Sequence, residues 1–148
     1  MQHSNYNKDI FSVDDTSDLP IWVQLRNRIA YLIRTGYFEP GEQLPSVRSL
    51  STGARINYNT VTKAYKDLEQ SNLIVSIRGR GMYVQKSIAP GQESAESAVD
   101  IMVEDCVRQY RSVGMTFEET RARMQNIVTQ LEQKALDAAE EKMEYYDA

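Results

Sequence analysis

Residues 56–68, INYNTVTKAYKDL, followed ten residues on by Arg78-Gly79-Arg80-Gly81, decide the reading of this chain. Short polar residues head the first stretch. Behind them Val61, Ala64, Tyr65 and Leu68 stand at i, i+3, i+4 and i+7, the spacing of one helical face. The pattern predicts a helix from Asn59 to Gln70, with Asn59 serving as N-cap, as base contact, or as both. Tyr65 on the stripe belongs to the core. Leu73 to Ile77 and Met82 to Val84 are rich in β-formers and flank the Arg/Gly run, so they predict a hairpin whose glycines supply positive φ. A polar-headed helix followed by a hairpin with two arginines at its tip outlines a DNA-recognition helix and a β-wing. Such a tip suits a narrow, electronegative minor groove, against the plainer alternative of a solvated turn.

Upstream, the elements needed to support that helix can be read in order. Ile10 to Val13 alternates weakly and is expected as a short edge strand. Asp18 is expected to cap a first helix that has Pro20 in its first turn, where the missing N–H costs nothing. Ile21, Leu25, Ile29, Leu32 and Ile33 share one face, with Trp22 adjoining it. Arg26, Arg28 and Arg34 fall on what reads as a solvated face. Gly36 ends the helix, and Glu39-Pro40-Gly41 makes a turn. Ser46 caps a second helix carrying Val47 and Leu50, which stops near Gly53. Two short helices joined by a tight turn form a helix-turn-helix, whose second helix enters the major groove.

Charge supports the same division. Of the 148 residues, 1–19 hold one Lys against four Asp, a balance of -3. Residues 20–86 hold ten Lys/Arg against four Asp/Glu, or +6, and 87–148 hold six against thirteen, or -7. The net -4 therefore hides one basic block, which contains the suspected recognition helix. A nucleic-acid-binding module joined to a different module has this asymmetry.

Composition excludes several classes. No apolar run approaches the ~20 residues of a membrane span, and the N-terminus lacks the basic start and apolar core of a signal peptide. One cysteine, Cys106, leaves no internal disulfide and fits a reducing cytoplasm. With His3 the only histidine, neither a metal site nor a cofactor is expected. No nucleophile–base arrangement and no Gly-rich phosphate loop before a helix is present, so no catalytic residue is assigned.

Residues 87–94, SIAPGQES, read as a linker. Beyond it Ala95, Val99, Met102, Cys106, Tyr110 and Val113 recur at steps of three to four, and Gly114 ends that helix. Thr116 with Glu119 is a capping box for the next one. There Met124, Ile127, Val128, Leu131, Ala135 and Ala138 mark a second stripe, on a helix expected to be 25–30 residues and ~40 Å long. Two helices cannot bury both stripes alone, so the expectation is docking on a second copy in a four-helix arrangement. Val99, Met102, Cys106, Tyr110, Met124, Ile127, Val128 and Leu131 would line it. Cys106 then acts as a small buried hydrophobe; the neighbouring Glu104 and Asp105 argue against a redox-sensing thiol.

Residues 20–86 resemble the winged helix-turn-helix domain of the GntR family of bacterial transcription regulators. The matching residues include Pro20-Ile21, Gln24, Gly36, Pro40-Gly41, Leu44-Pro45-Ser46-Val47-Arg48, Asn57-Tyr58-Asn59-Thr60-Val61, Ala64-Tyr65, Leu68-Glu69, Leu73-Ile74 and Gly79-Arg80-Gly81. Pro-Ser-Val-Arg with Asn-x-Asn-Thr-Val points to the YtrA-like branch; the related MocR branch adds an aminotransferase-like domain for which there is no room. The resemblance implies an α+β, mainly α chain with residues 1–19 as tail, 20–86 as the DNA-binding domain and 95–148 as a helical dimerisation region. It implies a homodimeric regulator of an inverted-repeat operator in double-stranded DNA, a repressor by analogy with the branch. A protein-interaction adaptor without specific DNA binding is the alternative.

The DNA contacts that the resemblance implies are Arg48, on a guanine edge or phosphate, with Asn57, Tyr58, Asn59 and Thr60 at the recognition-helix entrance. Lys63 and Lys66 are expected on phosphates, and Arg78, Gly79 and Arg80 match the wing tip. Tyr58 departs from the arginine of many relatives, so the base read there does not carry over. Ala54-Arg55 stands where relatives have Leu-Gly in a turn that favours positive φ. Either Gly53 takes that conformation, or Arg55 bears the strain with its side chain near the DNA backbone. The tail is too short to enclose a large metabolite, and no small-molecule effector can be named from it.

Overall fold

The computed structural model describes residues 8–86 and 95–147. The first seven residues, with His3, and the predicted linker 87–94 lie outside the described residues. Two compact units are present, within residues 1–88 and 89–148.

The N-terminal unit opens with a 3-10 turn at Lys8–Phe11 and continues through α1 (Ile21–Arg34), α2 (Val47–Ala54), α3 (Tyr58–Gln70), β1 (Ile74–Ile77) and β2 (Gly81–Val84). Its core is the set of apolar stripes laid against one another. α1 contributes Leu25, Ile29, Leu32 and Ile33, α2 contributes Leu50, and α3 contributes Val61, Ala64, Tyr65 and Leu68. Phe38, Leu44, Ile74 and Val84 close it from the turn and the sheet. Each such fully buried side chain is worth ~1.5–3 kcal/mol over its exposed state. Tyr65 buries its ring there while its hydroxyl donates to the Pro45 carbonyl at 2.7 Å.

The wing is an antiparallel pair running in register from Ile74↔Val84 to Ile77↔Gly81. It has a neighbour that its own sequence did not announce. Gln43 bridges to Tyr83, the Leu44 N–H donates to the Met82 carbonyl at 2.8 Å, and the Val84 N–H donates to the Glu42 carbonyl at 2.9 Å. The segment before α2 thus satisfies the outer edge of β2, which otherwise offers unpaired backbone groups.

Several expectations at the N-terminus are corrected. Ile10 to Val13 is no strand: Phe11 ends the 3-10 turn, buried and stacked on Phe38 with ring centroids 6.2 Å apart. Asp18 does not cap α1. Pro20 is the N-cap residue, and its carbonyl accepts from the N–H groups of Val23 and Gln24 at 3.0 and 3.1 Å. The approach to the helix is organised instead by the Gln24 side chain, which donates to the carbonyls of Leu19 (2.8 Å) and Asp14 (2.9 Å) and accepts from the Asp14 N–H at 2.7 Å. Nor are Arg26 and Arg28 a merely solvated face. Arg26 pairs with Asp67 of α3 at 3.1 Å, and Arg28 donates to the Ile10 carbonyl at 2.7 Å.

The C-terminal unit consists of α4 (Ala95–Ser112) and α5 (Phe117–Asp147). At 31 residues α5 is slightly longer than expected and spans about 46 Å. Gly114 adopts φ +99 between them, and the Met115 N–H reaches back to the Tyr110 carbonyl at 3.2 Å. The capping box forms reciprocally, Thr116 N–H to Glu119 Oε2 and Glu119 N–H to Thr116 Oγ1, both at 3.1 Å. Among the described residues of this unit only Thr120 is buried; Val107, Tyr110, Met115, Met124, Ala135 and Ala138 are half-buried. Cys106 is exposed in the single chain, as the other stripe residues Val99 and Met102 are. A pair of helices shields only its facing residues, and Cys106 lies off that line.

Tyr65→Phe keeps the ring and strands the Pro45 carbonyl. It is expected to lower the unfolding free energy by ~1–2 kcal/mol in urea titration, with an unchanged m-value.

Candidate nucleic-acid interface

The position of α3 fixes most of the site. With Val61, Ala64, Tyr65 and Leu68 all turned inward, the helical period carries Tyr58, Asn59, Lys63 and Lys66 outward. The helix begins one residue earlier than expected. Asn57, not Asn59, is the N-cap, and its Oδ1 accepts from the Asn59 N–H at 2.8 Å. The choice follows from the buried Ile56, which anchors the chain before the helix and leaves Asn57 extended at φ -55, ψ 135. Asn59 is thereby released from capping, and its exposed side chain stands on the first turn. Tyr58 is 54% exposed and Thr60 half-buried. The N–H groups of this turn form an end at which phosphate is stabilised.

Arg48 is the second residue of α2, whose N-terminus is closed by Ser46 Oγ accepting from the Ser49 N–H at 3.0 Å. Arg48 is exposed. Among the described residues no hydrogen bond or ion pair engages its side chain.

At the wing tip, Arg78, Gly79 and Arg80 connect the Ile77↔Gly81 pair. Gly79 and Gly81 take φ +80 and +116, conformations that L side chains rarely adopt. The Arg80 N–H closes the loop on the Ile77 carbonyl at 2.9 Å, and Gln43 Nε2 donates to the Arg80 carbonyl at 3.0 Å. The backbone of the tip is therefore held from two sides, while Arg78 and Arg80 remain exposed.

Lys63 has a partner that the sequence did not reveal. Its Nζ lies 4.4 Å from the ring centroid of Trp22 on α1, and the Arg26 guanidinium lies 5.5 Å from the same ring. With Arg26–Asp67 this makes a chain of contacts running from α1 to α3. The single tryptophan beside the α1 stripe was the available signal, but its pairing depends on the packing of two helices. The N-terminal unit thus brings Arg48, Asn57, Tyr58, Asn59, Lys63, Arg78, Gly79 and Arg80 to its surface, with Lys63 also resting on Trp22.

Among the described residues no helix is long and apolar enough to cross a membrane, and no group of three or more His, Cys, Asp or Glu could hold a metal ion.

Comparison with known proteins agrees with this geometry. The model of the bacterial regulatory proteins, gntR family, matches residues 23–84. The HTH-type transcriptional repressor YtrA of Bacillus subtilis is 41% identical over 78 residues, which make up 53% of this chain and 60% of that protein. The match thus covers less than two thirds of that relative. The HTH-type transcriptional regulator Rv1152 of Mycobacterium tuberculosis is 32% identical over 110 residues, 74% of this chain and 86% of that protein. A solved GntR family transcriptional regulator from Listeria monocytogenes superposes with a TM-score of 0.55 at 28% identity, over 77% of this chain and 98% of that one. With the helix-turn-helix, the wing and a relative matched over most of its length, the chain belongs to the GntR family of bacterial regulatory proteins.

Proposed function

We propose that this chain is a sequence-specific transcriptional repressor acting as a homodimer on an inverted-repeat operator. α3 enters the major groove, with Tyr58 and Asn59 toward base edges and Asn57 and Thr60 at the phosphate-facing end. Arg48 reads a guanine or clamps a phosphate, and Arg78 and Arg80 enter the minor groove. The observation that carries this reading is the exposed set Arg48, Tyr58, Asn59, Arg78 and Arg80 on a unit whose apolar helical stripes are packed into one core. The word repressor in the name of the 41%-identical relative supports the sign of regulation.

The dimer is supported by the apolar surface of the C-terminal unit. Val99, Met102, Val113, Ile127, Val128 and Leu131 of the expected stripes are exposed, as are Ile101, Phe117 and Leu136 beyond them. Side chains of α4 and α5, including Val107, Phe117, Met124 and Val128, line an open groove of about 430 Å³. A second copy covers this surface and spaces two α3 helices about one DNA turn, ~34 Å, apart.

Fluorescence anisotropy on duplexes from the chain's own upstream region tests the DNA reading. Arg48→Ala is expected to cost ~1–3 kcal/mol on the operator and to relax its base preference. Arg80→Ala is expected to weaken binding and to reduce the salt slope by close to one unit for each protomer bound if the contact is a phosphate. Full affinity in both variants would sink this assignment of contacts.

A charge placed on the tail surface tests the dimer. Val128→Glu with Leu131→Glu is expected to shift sedimentation from dimer to monomer and to weaken operator binding at least tenfold, with the circular-dichroism signature of the N-terminal unit kept. A dimer that persists in this double variant refutes the placement.

A further inference from the structure

The turn between α2 and α3 holds an arginine where the backbone favours glycine. Arg55, the C-cap residue of α2, sits at φ 55, ψ 44 in the left-handed region, with its N–H bonded to the Ser51 carbonyl. The other positive-φ positions among the described residues are Gly36, Gly41, Gly79, Gly81, Gly114 and Asn72. Glycine adopts this conformation freely and asparagine tolerates it, whereas an arginine Cβ crowds the following carbonyl. Gly53, two residues earlier, lies inside α2 and does not relieve the turn. The strained position is also a prominent one. Arg55 is exposed, the next residue Ile56 is buried and fixes the turn, and α3 begins at Tyr58. Among the described residues nothing accepts a hydrogen bond from its guanidinium or pairs with it.

We propose that Arg55 is a DNA phosphate clamp, an additional backbone contact made from the helix-turn-helix turn itself. This rests on the DNA-binding reading above. A turn residue in a helix-turn-helix stands beside the end of the helix that enters the groove, at the level of the sugar–phosphate wall. A planar guanidinium there meets phosphate oxygens with paired N–H donors. Residues kept in sparsely populated backbone regions gather where function needs them, so an unpaired arginine retained at φ 55 points the same way. The competing structural role is a cation at the negative end of the α2 dipole. The two roles predict opposite signs: loss of a dipole partner lowers stability, whereas loss of a strained clamp does not.

The test compares the full-length wild type with Arg55→Asn, Arg55→Gly and Arg55→Lys. It measures thermal midpoint, and affinity for the operator and for an unrelated duplex over a salt series. The Asn and Gly variants should melt at or above the wild-type midpoint. They should bind both duplexes roughly tenfold more weakly for each protomer bound, the scale of one charge-assisted hydrogen bond apiece. Their log–log salt slope should fall by about 0.9 for each protomer bound, while Lys keeps most of the slope. Asn and Gly slopes equal to wild type, on a wild type that still prefers its operator, overturn the clamp and leave the DNA reading standing. A loss confined to the operator also overturns it, because a phosphate contact carries no sequence preference. A wild type with no operator preference removes the DNA reading and the clamp together.

Discussion

Everything at the DNA-facing surface depends on how α3 is rolled about its own axis. A helix turns about 100° per residue, so the side on which Val61, Ala64, Tyr65 and Leu68 are buried determines where Tyr58 and Asn59 stand. Burial alone leaves some freedom of roll. The Tyr65 hydroxyl removes part of it, because its bond to the Pro45 carbonyl links α3 to the residue just before the Ser46 cap of α2. The outer side is held from α1 by Lys63 on Trp22 and by Arg26 on Asp67. These two contacts are half-exposed and each worth no more than ~1 kcal/mol, so they orient the helix more than they stabilise it.

The wing faces a different difficulty. An isolated two-stranded hairpin is marginal in water, and a flexible tip would surrender the gain of an arginine contact to ordering entropy. Here residues 41–44 supply backbone partners to β2, and Gln43 holds the Arg80 carbonyl. Glycine suits position 81 because its φ of +116 is one that L side chains rarely adopt, and a Cβ there would also press on Gln43 Nε2 at 3.1 Å. Arg78 and Arg80 therefore project from a backbone fixed before any partner arrives, and only their side chains have entropy left to lose.

Local patterns were legible to the extent that they are settled by neighbours in sequence. The period of 3.6 marked the stripes of α1 and α3, and Ser46, Gly114 and the Thr116/Glu119 pair marked helix ends because the groups that bond there lie within five residues. Choices settled from farther away were not. Asn57 and Asn59 are both good caps, and the buried Ile56 beside a left-handed Arg55 decides between them. Asp18 is an acceptable cap beside Pro20, yet Gln24 reaches ten residues back and organises that loop instead. Arg26, Arg28 and Lys63 read as solvated or phosphate-seeking cations, and their partners Asp67, Ile10 and Trp22 are brought near by the fold alone. Arg55 stood out only by departing from the glycine expected there, and its φ shows that the departure was not absorbed elsewhere.

The two units present complementary kinds of unfinished surface. In the N-terminal unit the helical apolar stripes are packed and cations remain outward; in the C-terminal unit Met102, Val128 and Leu131 remain outward, and Thr120 alone among the described residues is buried. A net -4 does not prevent the first from meeting DNA. Exposed charges more than ~8–10 Å apart are largely screened at physiological salt, so a phosphate responds chiefly to the guanidinium beside it rather than to the net charge of the chain. The acidic balance of residues 87–148 does not favour them as a second site for nucleic acid. In the proposed dimer the second protomer's contact becomes intramolecular once the first is made, so operator affinity depends on a helical surface that touches no base.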